Sequence, residues 1–346
     1  MQRNFRIVCS LAAAALMAAT SVRAQEATEK KSHEPGPWKL SVSSNLNLAE
    51  SAFSDNWSGG DKGSVTWVLG SNLGAERQFT KKYNWSNALQ LAYGQTLRQV
   101  EETAGSGKRK WDSPEKTTDL IQFESVGRFT LDKFADPYVA FRLDSQFADE
   151  SNPIGRIGFN PIRLKETAGI ARVLEKTDSR EAITRLGFGF RQNISRFFTD
   201  DTGMTKESVT TNDGGFEWQT DVKRPILDNR VTYTGKLLAF MPVFLSSSGD
   251  LEDFDKIAQA AAPGREAVAD FWKSPDVNFQ NTFTSQITKL VSVNLYLQWV
   301  YNKFDEATNV DTALPAEILI EQVDRGIRKG GQFKQTLAIG LTYNFL

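Results

Sequence analysis

The sequence predicts an all-β protein: a single transmembrane antiparallel up-and-down β-barrel of about 12 strands, with short periplasmic turns and long extracellular loops. Three observations carry this. Apolar and polar side chains alternate without a break from 333 to 346, the same alternation recurs along the chain, and the connections between alternating runs are short and long in turn. A strand has a side-chain period of two, so each run has one face for lipid and one that stays wet.

Taken in order, the chain begins with Arg3 and Arg6 ahead of an apolar stretch, 7–20. Val22 and Ala24 then stand third and first before Gln25, as a signal-peptidase site requires. Residues 1–24 are therefore expected to be a cleaved signal peptide, 25–36 a flexible periplasmic segment, and 37–346 the barrel. Cys9 falls inside the leader with no lipobox before it, so the mature chain is expected to contain no cysteine. The chain has 346 residues, 40% hydrophobic and 24% charged, with a net charge of -1. No later window approaches the roughly eighteen consecutive apolar residues of a membrane helix. A closed sheet is the other structure that satisfies every backbone hydrogen bond in lipid. The balanced charge and the lack of a basic recognition motif argue against nucleic acid as a partner.

Strands are read at 38–48, 65–74, 85–98, 121–131, 139–147, 164–174, 185–191, 216–223, 231–243, 278–287, 291–302 and 333–346. The run at 164–174 alternates weakly and is placed mainly because an up-and-down topology needs a strand there. Short turns fall near 79–84, 132–137, 176–181, 225–230 and 289–292, and long segments at 52–63, 100–116, 149–163, 196–215, 246–274 and 303–331. Short periplasmic turns and long exterior loops put both termini in the periplasm. Two exterior segments read as helices: 251–271, broken at Pro263-Gly264, and 315–325, which opens on a proline. Folded into the mouth they would form a lid; packed on each other they would stabilise the loops.

Trp38, Trp85, Tyr93, Phe147, Trp218, Tyr233, Trp299, Tyr301, Tyr343 and Phe345 lie on outward faces near strand ends, where amphipathic rings anchor at the headgroup boundary. Asn56-Trp57-Ser58-Gly59-Gly60 in the first long loop, Trp85-Ser86-Asn87 and Ser145-Gln146-Phe147 resemble a Gram-negative outer-membrane family described only as a domain of unknown function. The resemblance extends over most of the chain from about Trp38. It implies the same location and a barrel architecture, and no substrate.

Enzymatic chemistry is not expected. His33, the single histidine, sits in the polar segment before the barrel, so a Ser-His mechanism on the barrel wall has no base. Asp250, Glu252, Asp253 and Asp255 crowd one exterior loop but lack the turning glycine of a calcium loop, and read as a solvated acidic stretch. No cofactor or bound metal is expected. The functional signal lies on the inward faces, where Arg98, Glu124, Arg128, Arg142, Asp144, Arg185, Arg191, Glu217, Asp221 and Lys236 are the candidate lumen-lining residues. Enclosed charges must be paired or hydrated, so the interior is either an ion-pair network or the lining of a water path. The leading expectation is passive or selective passage of small polar solutes, with these charges setting the selectivity. The alternative is a closed structural or adhesive barrel whose loops bind a partner. The expected partners are outer-membrane lipid, the barrel-assembly machinery through the C-terminal strand, and a small polar solute.

Overall fold

The computed structural model describes residues 34–344 other than 52–61, 104–107, 132–133, 153, 178, 200–201, 306–307 and 309. The leader with Cys9, the histidine, the motif at 56–60 and the final Phe345 and Leu346 lie outside the described residues. Each alternating run forms a strand: β1 (Lys39–Ser51), β2 (Ser64–Thr80), β3 (Tyr83–Glu101), β4 (Glu115–Phe129), β5 (Asp136–Ser145) and β6 (Ile162–Lys176). They are followed by β7 (Glu181–Phe198), β8 (Lys206–Ile226), β9 (Val231–Leu245), β10 (Asp276–Gln286), β11 (Val291–Tyr301) and β12 (Gln332–Asn344). Every strand pairs antiparallel with the next. β12 then returns to β1, from Ser43 opposite Asn344 to Leu48 opposite Ile339. The sheet is a closed ring of 12 strands, which removes both sheet edges.

Closure decides what each face meets. On β12, Leu337, Ile339 and Leu341 are 66%, 63% and 56% exposed, and no second sheet covers them. Two stacked sheets would bury such a face; a barrel in lipid presents it. Aromatic pairs mark the two rims of this apolar band. At the turn end Trp38 meets Phe79 at 5.6 Å, Tyr83 meets Phe129 at 5.4 Å, and Tyr233 meets Phe283 at 5.2 Å. Tyr93 with Phe147 at 6.1 Å and Trp299 with Tyr301 at 6.3 Å mark the loop end. Trp218 departs from the expected rim position: it lies within β8, where its Nε1–H donates to Thr184 Oγ1 at 3.0 Å.

Two segments read differently in three dimensions. The weak run at 164–174 is a full strand, β6, paired along its length with both β5 and β7. The long loop expected at 196–215 shrinks to the connection 199–205, because β7 and β8 stay paired out to Phe198 opposite Lys206. Residues 206–212, Lys-Glu-Ser-Val-Thr-Thr-Asn, lack apolar alternation since this part of the hairpin rises above the lipid band.

One outward carboxylate interrupts the apolar face of β6. Glu166 on β6 stands between Phe141 of β5 and Phe190 of β7, with Leu164 and Ala168 on either side along its own strand. It borders an outer groove of about 430 Å³ and makes no hydrogen bond or ion pair among the described residues. A carboxylate on the lipid face destabilises a barrel, by less than the roughly 2–4 kcal/mol of a lysine or arginine at mid-membrane. Glu166→Leu is therefore expected to stabilise the barrel by about 1–2 kcal/mol. A guanidinium unfolding titration in lipid vesicles checks it, and an unchanged midpoint would place this carboxylate out of the hydrocarbon.

Beyond the rim, helix α1 (Ser248–Ala261) lies between β9 and β10, and α2 (Ala316–Gly326) between β11 and β12. Their apolar stripes meet in one cluster: Leu251, Phe254 and Ala258 of α1 pack with Leu319 and Val323 of α2, joined by Phe271, Trp272 and Phe304. Of the acidic run, Asp255 turns inward and accepts hydrogen bonds from the Val268 and Ala269 amides at 2.9 Å, tying the α1 return segment to the helix. Asp253 instead pairs with Lys256 at 2.7 Å. Asp324 of α2 bonds Arg265, so the two loops are held by both apolar and ionic contacts.

Candidate functional site

The inward faces hold two different walls. Along β4–β9 the charges interlock across the ring. Glu124 of β4 meets Arg185 of β7 at 2.7 Å and Lys236 of β9 at 3.8 Å, distances that strands so far apart in the ring reach only through its interior. Arg185 also meets Asp221 of β8 at 3.3 Å, and Gln219 donates to the same carboxylate at 2.7 Å. Glu217 pairs with Lys165 of β6. Arg142 pairs with Asp144, two residues along the same strand, at 2.7 Å, and Gln122 donates to Asp144 at 2.7 Å. Arg191 pairs with Asp213, reaches Asp276 of β10 at 2.8 Å, and lies 3.8 Å from the centre of the Phe240 ring. At low local dielectric such pairs hold only when each charge has its counter-charge and hydrogen bonds.

Two candidates lie away from this centre. Arg128 pairs with Asp136 at 3.7 Å at the turn end. Arg98 sits at the loop end, 3.7 Å from Glu115, with both side chains more than 60% exposed. The turn side of the network encloses a cavity of about 170 Å³, lined by Glu76, Asn84, Glu124, Arg128, Lys176 and Arg185. Lys176 spans it to reach Glu76 of β2 at 2.7 Å.

Glycines let this wall close tightly. Tyr138 stands opposite Gly169 on the inward face, and Gly187 is the next residue in the row. A Cβ at Gly187 would come within 2.9 Å of the Tyr138 hydroxyl, so only glycine leaves room for the ring. Tyr138 is 3% exposed as a result.

The opposite wall, β10–β12 with β1–β3, is built mainly from Asn, Gln, Ser, Thr and small residues, with Tyr296 of β11 standing inward between Thr282 and Thr336, and its charges stand only near strand ends. Ser43, Asn72 and Gln90 form one inward row across β1, β2 and β3. Asn72 and Gln90 are exposed, as are Ser41 and Thr336, whereas Thr167, Arg185, Glu217 and Gln219 of the facing wall are buried.

At the loop end, Asp305, in the segment before α2, reaches across the mouth to Arg163 of β6 at 3.5 Å. Together with Lys116, Asp149, Glu150 and Thr308 they line a vestibule of about 730 Å³. Burial pushes the Asp149 carboxyl upward, but hydrogen bonds from Ser151 and from Asn160 at 2.7 Å outweigh it and hold Asp149 below the usual carboxylate range. Among the described residues no three His, Cys, Asp or Glu side chains group as a metal site, and no helix is long and apolar enough to cross a membrane.

Residues 48–150 match the model of a family described as "Protein of unknown function (DUF3078)", a span that contains all three motifs noted in the sequence. That stretch is similar to the DUF3078 family. The translocator domain of the autotransporter NalP from Neisseria meningitidis is similar over 96% of this chain and 97% of its own, at 8% identity and TM-score 0.35. The COG4313 outer membrane channel from Pseudomonas putida F1 is similar over 92% and 98%, at 11% identity and TM-score 0.36. Comparison with curated proteins gave no match. With its closed ring and bare apolar exterior, the chain is an outer-membrane β-barrel.

Of the ten candidates, Glu124, Arg185, Asp221 and Lys236 come together in one cluster, and Arg142 with Asp144 and Arg191 form separate pairs. Sequence reading missed Lys165, Asp213 and Asp276, which complete the pairs of Glu217 and Arg191. The parity of β6 places Lys165 inward with Thr167 and could have found it. Asp213 stood in a segment read as loop, and Asp276 just before a strand.

Proposed function

We propose that this barrel passes small polar solutes across the outer membrane, along a water path between the uncharged wall of β10–β3 and the charged wall of β4–β9. The exposure of Asn72 and Gln90 at mid-height carries this reading, since inward side chains there stay wet while those opposite are buried. Arg98, Glu124, Arg128, Arg142, Asp144, Arg185, Arg191, Glu217, Asp221 and Lys236 then line or brace that path, with Arg98 at its outer mouth. No catalytic role is proposed. In the cell, residues 1–24 direct export and are removed, 25–36 remain as a periplasmic segment, and both termini face the periplasm, as the short turns imply. Bilayer lipid surrounds the band, and the terminal strand engages the assembly machinery.

The test is conductance of the purified, folded barrel in a planar bilayer. Stepwise currents are expected. A folded but silent barrel overturns the channel and favours a closed structural or adhesive barrel whose loops, among them the cap formed by α1 and α2, bind a partner.

A further inference from the structure

We infer that the solutes carried are uncharged and polyhydroxylated, of the size and chemistry of a monosaccharide; this rests on the channel reading above. The charged wall is engaged with itself: Arg185, Lys236, Lys165 and Arg191 each have a carboxylate within the ring, and so have few open valences for a passing ion. The sequence alone assigns selectivity to these charges, but their pairing leaves them as braces that narrow the bore toward the other wall.

That other wall has the opposite character. Among the described residues, Ser41, Asn72, Gln90 and Thr336 make no side-chain hydrogen bond, yet all four are exposed to the bore. Free amides and hydroxyls offer donors and acceptors in pairs, as a sugar hydroxyl requires, and no full charge to compensate an ion's lost hydration. Asn45 lies over Gly70 and Ser41 over Gly74: a Cβ at either glycine would come within 2.6 Å of the polar side chain. These glycines let the polar groups lie flat against the wall, which leaves the bore wider where it is neutral.

The test is osmotic swelling of proteoliposomes containing the purified full barrel, with glucose, gluconate and glucosamine as probes of one size and three charges. Glucose is expected to enter at least about fivefold faster than either ion, on the scale of one uncompensated polar contact. Asn72→Asp and Gln90→Glu, each isosteric, are expected to move the preference toward glucosamine by a similar factor, with folding checked for each by heat-modified gel mobility. Equal rates for all three solutes overturn the inference while the channel stands. No swelling with any solute, together with a silent bilayer, overturns both.

Discussion

Arg185→Met will cost the barrel about 3–5 kcal/mol, the usual penalty for removing one partner of a buried ion pair. Arg185 is 8% exposed and lies between Glu124 and Asp221, so its loss leaves two carboxylates facing each other inside the ring. Lys236 at 3.8 Å from Glu124 compensates only one of them, and at greater distance. Guanidinium unfolding in vesicles reads the effect. Arg185→Met combined with Glu124→Gln is expected to recover more than half of the loss, because the uncompensated carboxylate goes with it and Asp221 keeps its bond from Gln219. A single variant within about 0.5 kcal/mol of the parent, the range of an ordinary surface change, would mean that the cross-barrel pairs are not what braces the interior.

The second large effect belongs to the cap. Phe254→Ala removes a fully buried ring that packs against α2 residues, and the cavity it leaves is expected to cost the cap about 3–5 kcal/mol. Hydrogen exchange should then speed up in α1 and α2 together while β1–β12 keep their protection, since the cluster stands beyond the strand ends. If exchange rises in α1 alone, the helices are independent and the shared cluster is not their source of stability. Of the two arrangements open at the sequence level, the structure adopts packing of one helix on the other, and the segment ahead of α2 adds the Asp305 contact to Arg163 across the mouth.

Much of this was legible in the chain. A period of two needs no partner to be visible, so β12, β11 and β3 could be recognised from residues such as Leu337, Leu295 and Leu89 alone. The ends of strands were not: where β7 and β8 leave the lipid band, both faces meet water, apolar alternation stops, and pairing continues on backbone bonds through Thr210 and Thr211. β6 was weak in the sequence for another reason. Its outward face carries Glu166, Ala168 and Arg172 among its apolar residues, and its inward face carries Gly169 and Ala171 to make room for Tyr138.

The inward position of the candidate charges follows from parity, which is a local property. Who pairs with whom does not, because Glu124 and Lys236 are brought together only when β12 meets β1 and the ring acquires a fixed bore. The same closure separates the charged wall from the neutral one. Sequence by itself determined the class of fold, the lipid-facing residues and the set of charges turned inward, since each depends on a two-residue repeat. Tertiary structure alone decided that these charges spend themselves on one another across β4–β9 and leave Ser41, Asn72 and Gln90 facing water, because contact across a ring depends on its circumference and register rather than on any one strand.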